Sequence, residues 1–216
     1  MTPTPAGRRS PARPGLRFKV PDYILGVTGN IATGKSTVTG MLARKGAIVI
    51  DSDLVYRELV GSGKPLLGTL AERFGDGIIA DDGSLNRPAL GAIVFSDPAA
   101  LTDLDRLTHP AVIAEVDRRV DAIPHGVVVL DAVKLVESGH ADRCDAVWVV
   151  TADPNVQVQR LMNRNRLDIH ESRRRVAAQP SLDAKLQRAN LVIDNSGTIE
   201  ELQEQVDRGW RDLPLR

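Results

Sequence analysis

The stretch Gly29-Asn30-Ile31-Ala32-Thr33-Gly34-Lys35-Ser36 fits the pattern G-x-x-x-x-G-K-[ST]. It lies between an apolar run, Ile24-Leu25-Gly26-Val27-Thr28, and an amphipathic segment that opens at Lys35. Strand, glycine-bearing turn and helix start, in that order, make a cradle for polyphosphate. A phosphate chain is densely charged and strongly hydrated, so a protein that binds it must replace that water. The glycines let consecutive backbone N–H groups turn inward, and the new helix adds free amides and the positive end of its dipole. Lys35 is placed to reach the β- and γ-phosphates, and the Ser36 hydroxyl to sit on Mg²⁺. The candidate ATP-binding residues are therefore Gly29, Asn30, Ile31, Ala32, Thr33, Gly34, Lys35, Ser36 and Thr37, with Ser36 also the metal ligand.

Further Val- and Ile-rich runs of strand length recur at 47–50, 127–130, 147–150 and 191–193. Unbroken apolar runs of this kind belong to strands covered on both faces. Helical patterns separate them at 35–44, several times between 54 and 122, and at 155–163, 170–178 and 199–210. This alternation predicts an α/β fold, a five-stranded parallel sheet flanked by helices. The second strand ends near Asp51 and the third begins near Gly126, whereas a crossover needs only about a dozen residues. Residues 54–124, approximately, are accordingly read as a helical acceptor-binding insertion, with a turn at Asp81-Asp82-Gly83-Ser84. An arginine-rich insertion at about 160–189 precedes the last strand and reads as a lid. A phosphate-loop core with an acceptor lobe and a basic lid is the layout of small-molecule kinases, which close to exclude water.

Composition narrows the class. With 216 residues, 42% of them hydrophobic, the chain can build one core domain with insertions. Its 28 basic and 28 acidic residues leave no net field to draw nucleic acid or a membrane surface. Residues 1–22 differ: Arg8, Arg9, Arg13, Arg17 and Lys19 against Asp22 alone, with repeated prolines, predict a disordered basic tail ahead of a kinase-like domain at 23–216. The tail lacks the apolar stretch of a secretory signal, and no later run is long enough to span a membrane. A single cysteine, Cys144, permits no intrachain disulfide, in keeping with a cytoplasmic protein. His109, His125, His140 and His170 have no cysteine partners at zinc-site spacing.

Asp51-Ser52-Asp53 follows the second strand directly. If the chain stays extended, the two carboxylates share a side, and the carboxyl end of a parallel strand borders the ligand crevice. One could orient an acceptor hydroxyl and take its proton while the other holds Mg²⁺ through water. Phosphoryl transfer rests on such positioning more than on a strong base. Asp53 is taken as the catalytic carboxylate, the alternative being a cap for the next helix.

Residues 24–39 and 51–57 together resemble the dephospho-coenzyme A kinase family, and the resemblance extends from Tyr23 to Trp210. The family's T-G-G-I-A-S-G-K-S is met by Thr28 to Ser36, and its D-A-D-x-x-A-R by Asp51 to Arg57. Phe74-Gly75, Gly83-Ser84-Leu85-Asn86-Arg87, Val94-Phe95, His109-Pro110 and Val192-Ile193-Asp194-Asn195-Ser196-Gly197 follow in order. The resemblance implies ATP- and Mg²⁺-dependent phosphorylation of the ribose 3′-hydroxyl of dephospho-CoA, the last step of coenzyme A synthesis. It implies Asp53 as general base, Lys35 with Arg164 as phosphoryl clamp, Asn195 in the loop against adenine, and Arg57, Arg87 and His109 on the acceptor side. Alternatives stay open: Arg57 and Arg87 as solvated charges, and His109 as the end of a helix before proline.

Arg160 and Arg164 share a helical face, while Arg173-Arg174-Arg175 reads as solvated surface. Two departures stand out. Asn30 replaces a glycine usual in the family, and its D-I-P-L-L-F-E here reads Asp131-Ala132-Val133-Lys134-Leu135-Val136-Glu137. Lys134 then either meets a substrate phosphate or points to solvent. A nucleoside or nucleotide kinase of similar layout is the second reading. A regulatory nucleotide switch is disfavoured by the long insertion and by the lack of an N-K-x-D guanine reader.

Overall fold

The computed structural model describes residues 21–215. The tail expected over 1–22 lies outside the described residues except for its last two, and these belong to the folded body. Pro21 is buried, and Asp22 grips Gly126: its N–H donates to the Gly126 carbonyl at 3.0 Å and its Oδ2 accepts from the Gly126 N–H at 2.7 Å.

Strands β1 (Tyr23–Thr28), β2 (Ile48–Asp51), β3 (Val127–Asp131), β4 (Ala146–Thr151) and β5 (Leu191–Asp194) form one parallel sheet in the order β2-β3-β1-β4-β5. All five match the apolar runs to within a residue or two. Strand β1 is central, so its exit lies where the connections diverge to either side, the usual ligand crevice of such sheets. Alternate residues feed opposite layers. Leu25 and Val27 pack with Val38, Met41 and Leu42 of α1 (Lys35–Arg44) and Leu202 and Val206 of α9 (Ile199–Arg211). Ile24, Val128 and Leu130 pack with Val55 of α2 (Ser52–Leu59) and Val116 and Val120 of α5 (Pro98–Asp121). The both-face burial expected of every strand holds for β1, β3 and β4. On the edge strands, Ile48 and Val192 remain exposed.

Helix α2, α3 (Pro65–Phe74), α4 (Arg87–Ser96) and α5 fill the long gap between β2 and β3. They enclose a third apolar cluster that includes Leu70, Ile78, Leu90 and Val94, and the bridge Ile79–Leu85 closes the turn at Gly83. Helix α5 runs 24 residues and continues through Pro110. The alternative in which His109 ends a helix is therefore not met. The lid region holds α6 (Pro154–Asn165), α7 (Ile169–Ala177) and α8 (Asp183–Arg188). Short α8 has no apolar period to announce it. It is tied down by buried Lys185, which pairs with Glu137. Helix starts are set by capping side chains, Asp51, Asn86, Asp97, Asp153 and Asp168, and by a Thr198/Glu201 capping box on α9.

Cys144 packs against Gly26 of β1, where an added Cβ would come within 2.8 Å of its sulfur. Burial, followed by the charge of Asp145, pushes its thiol up to about 12, so the reactive thiolate is scarce at neutral pH. Labelling of the folded protein with a disulfide reagent at pH 7.5 should be far slower than after denaturation. Equal rates would show that the β1–β4 side of the core opens freely.

Candidate active site

The chain leaves β1 at Thr28 and turns back into α1. Gly29 passes so close to the Val150 carbonyl of β4 that a Cβ would overlap it. Ala32 (φ 58°) and Gly34 (φ 91°) adopt left-handed backbone, which only glycine adopts without strain. Thr33 Oγ1 donates to the Asn30 carbonyl at 3.0 Å and stiffens the bend. No side chain caps the start of α1; the Thr37 and Val38 amides donate to the Gly34 carbonyl, at 2.9 and 3.2 Å, and those of Lys35 and Ser36 are left for a ligand.

The opposite side of the loop is held firmly. Asn195, which follows β5 and is 5% exposed, donates from Nδ2 to the Thr33 carbonyl at 2.7 Å. Arg160 of α6 donates to the same carbonyl at 3.2 Å, to Ala32 O at 3.4 Å and to Asn195 O at 2.8 Å. Within a trans peptide the C=O and the following N–H point in opposite directions. Fixing the Thr33 carbonyl from behind therefore aims the Gly34 amide into the cleft. Of the two lid arginines, Arg160 is committed to this brace. Arg164 lines the cleft, with its Nε bonded to Asn165 Oδ1 at 2.9 Å. Arg174 and Arg175 pair with Glu171 on the exposed surface.

Lys35 pairs with Asp131, at the end of β3 opposite Val27, and Thr39 Oγ1 donates to the second oxygen of that carboxylate at 3.2 Å. Burial raises the Asp131 carboxyl above its ordinary pKa while Lys35 opposes the shift. In the sequence Asp131 stands out only as the first residue of the 131–137 motif. The available signal was its place at the carboxyl end of a strand expected in the sheet's interior.

The Asp51–Asp53 segment does not stay extended; α2 begins at Ser52. Asp51 Oδ1 accepts from the amides of Asp53 and Leu54, at 2.8 and 3.1 Å, and is the cap. The capping alternative for Asp53 thus passes to Asp51. The Asp53 carboxylate has no hydrogen-bond or ion-pair partner among the described residues. It faces two cavities, an open cleft of about 1140 Å³ and a smaller one of about 300 Å³. Asn30 to Thr37, Arg57, Arg164 and Asn195 line the cleft, and His109 lines the smaller cavity. Arg87 lines neither; its guanidinium lies 5.6 Å from the centre of the Tyr56 ring. Lys134 is exposed, as the solvent alternative has it, and there it bonds both oxygens of Asp105, at 2.7 and 2.6 Å. Asp105 also lies 3.3 Å from His109 Nε2, and burial lowers the His109 pKa despite that carboxylate. Asn30 donates to the Pro180 carbonyl at 3.0 Å, and the Ile31 amide to Gln179 Oε1 at 3.2 Å. The asparagine departure thus ties the loop to the lid region.

A family model for dephospho-CoA kinase matches residues 23–201. The chain belongs to the dephospho-CoA kinase family. A dephospho-CoA kinase of Leifsonia xyli is 45% identical over 194 residues, covering 88% of this chain and 98% of that protein. The crystal structure of TT1252 from Thermus thermophilus superposes with a TM-score of 0.75 at 31% identity, covering 90% of this chain and 99% of that one. Dephospho-CoA kinase from Campylobacter jejuni, at 22% identity and a TM-score of 0.64, covers 88% of this chain and 96% of its own and shares the fold. Membership of a dephospho-CoA kinase family brings ATP as the phosphoryl donor. Among the described residues no helix is long and apolar enough to cross a membrane.

The brace behind the loop carries a prediction. Hydrogen bonds to charged groups contribute roughly 1.5–3 kcal/mol, so Arg160→Ala should raise the KM for ATP by about 10- to 150-fold and leave the KM for the acceptor near that of the parent. Steady-state kinetics with each substrate varied in turn decides it. An unchanged KM for ATP would mean that the loop keeps its shape without Arg160.

Proposed function

We propose that the chain transfers the γ-phosphoryl group of ATP to the ribose 3′-hydroxyl of dephospho-CoA, giving CoA and ADP in the cytoplasm. The observation that carries this reading is the unpartnered Asp53 carboxylate at the junction of the two cavities. A hydroxyl bound there would have a proton acceptor on one side and the loop-held phosphates on the other. Asp53 orients that hydroxyl and accepts its proton. Lys35, released from Asp131, and Arg164 balance charge on the transferring group, where a guanidinium can fork onto two oxygens. Asn195 bounds the nucleotide end, and Arg57 and His109 bound the acceptor, with Arg87 acting through the Tyr56 ring.

The residues suit Mg²⁺ as a shared ligand. No group of three or more His, Cys, Asp or Glu among the described residues is placed to hold a metal alone. An ion that takes most of its oxygens from phosphates and water needs only the Ser36 hydroxyl and one or two carboxylates, Asp51 or Asp53, beside the cleft. When bound, Mg²⁺ supplies charge neutralisation on the phosphate oxygens.

Two measurements test the reading. An acceptor panel with radiolabelled ATP should label dephospho-CoA in preference to nucleosides and nucleotides; preference for a nucleotide would move the chain to the second reading. Asp53→Asn leaves the Asp51 cap untouched, so the melting temperature should hold while kcat falls by roughly 10²–10⁴, the range of a general base. A kcat within a few-fold of the parent would remove Asp53 from the chemistry.

A further inference from the structure

The 300 Å³ cavity is the smaller of the two that meet at Asp53. Tyr56 of α2, Val112 and Ile113 of α5, and Ala132 and Val133 after β3 give it an apolar wall. Among the described residues, the one lysine lining it, Lys134, is committed to Asp105; His109 lies beside that carboxylate, and His140 Nε2 lies 3.1 Å from Asp117. A diphosphate would find no unpaired cation there, whereas Arg57 and Arg164 line the cleft on the other side of Asp53. The volume stands at the lower limit of small-molecule pockets, about 300–1,000 Å³. It suits one flat heterocycle with its sugar and is too small for a whole dephospho-CoA. One wall element has the matching chemistry. The Tyr56 ring lines the cavity and is held in place by the Arg87 guanidinium.

We propose that this cavity seats the purine base of the acceptor against the Tyr56 ring, and that Tyr56 is thereby a specificity-determining residue. The inference rests on the reading of Asp53 given above. Base and 3′-hydroxyl are carried by the same ribose, so a base seated here stands one sugar away from Asp53. The diphosphate and the arm beyond it would leave on the cleft side, toward Arg57.

The test is steady-state kinetics of Tyr56→Ala, Tyr56→Leu and Tyr56→Phe with dephospho-CoA and ATP varied separately, together with melting temperatures. Base–aromatic stacking lost on truncation corresponds to about a 5- to 150-fold change. That rise is expected in the acceptor KM of the alanine and leucine variants, with the KM for ATP unchanged; because Tyr56 also packs against the third apolar cluster, the melting temperature of the alanine variant should fall, and the acceptor KM is the deciding readout. Phenylalanine should stay within about two-fold of the parent, because the ring and not the hydroxyl is the contact. An alanine variant with the parent's acceptor KM, or a rise confined to the KM for ATP, overturns the base seat while leaving dephospho-CoA as the acceptor. A loss of melting temperature and kcat at constant acceptor KM assigns Tyr56 a packing role and overturns it too. If the parent does not phosphorylate dephospho-CoA, the acceptor reading fails first and the base seat falls with it.

Discussion

Binding a polyphosphate requires backbone N–H groups that no part of the protein has claimed yet that cannot move, and the two demands conflict. An unclaimed amide is normally found on a mobile loop, because a rigid buried one without a partner is costly. This chain meets both demands by bonding the Ala32 and Thr33 carbonyls and leaving the amides of Gly34, Lys35 and Ser36, while that of Ile31 is taken by Gln179. Asn195 and Arg160 converge on the Thr33 carbonyl from β5 and α6, elements far away in sequence. The parallel sheet serves that convergence. With β1 between β3 and β4, every strand's carboxyl end opens on the same edge, and the loops that follow can reach behind the turn at residues 29–34.

The same logic governs the one cation in the loop. A buried ammonium without a counter-charge is strongly destabilising, and a pair of buried charges is tolerated only when its remaining valences are met. Asp131 accepts from Lys35 through one oxygen and from Thr39 through the other. The pair keeps Lys35 extended toward the cleft in the absence of nucleotide. Burial raises the Asp131 carboxyl above its ordinary pKa, and the charge of Lys35 opposes that shift. Phosphate oxygens, carrying more charge than one carboxylate, can compete for the ammonium.

What the sequence made legible were the local features. The loop motif, five apolar runs and the amphipathic periods each depend on residues within a few positions of one another. They located every strand and most helices. What it left open were choices between near neighbours settled by distant partners. Asp51 rather than Asp53 caps α2 because the backbone turns helical at Ser52, one residue earlier than an extended reading assumes. Arg160 rather than Arg164 braces the loop because it sits one helical turn closer to residues 32–33. The Lys134–Asp105 bond joins the exit of β3 to the middle of α5, and nothing local in either segment announces it. For His109-Pro110 a helix end was open as the alternative to a place on the acceptor side. Helix α5 continues because packing of Val112, Val116 and Val120 on the sheet outweighs the local steric preference.

Lys134 explains how a chain can depart from its family's pattern at the crevice wall and keep the same reaction. Placing a lysine there would by itself add a positive charge beside a nucleotide site and draw phosphate groups toward the wrong cavity. Asp105, reaching across from α5, takes both of its near hydrogen bonds at 2.6 and 2.7 Å and cancels that field at the wall. Lys134 therefore does not stand as a free cation at that wall, whereas Lys35, Arg57 and Arg164 line the cleft on the other side of Asp53. The departure and its compensating carboxylate act as one unit. Changing Lys134 alone would leave Asp105 facing His109 without its counter-charge, and changing Asp105 alone would free the lysine to capture anions. Charge balance at the wall of the smaller cavity thus belongs to the pair, and neither Lys134 nor Asp105 sets it alone.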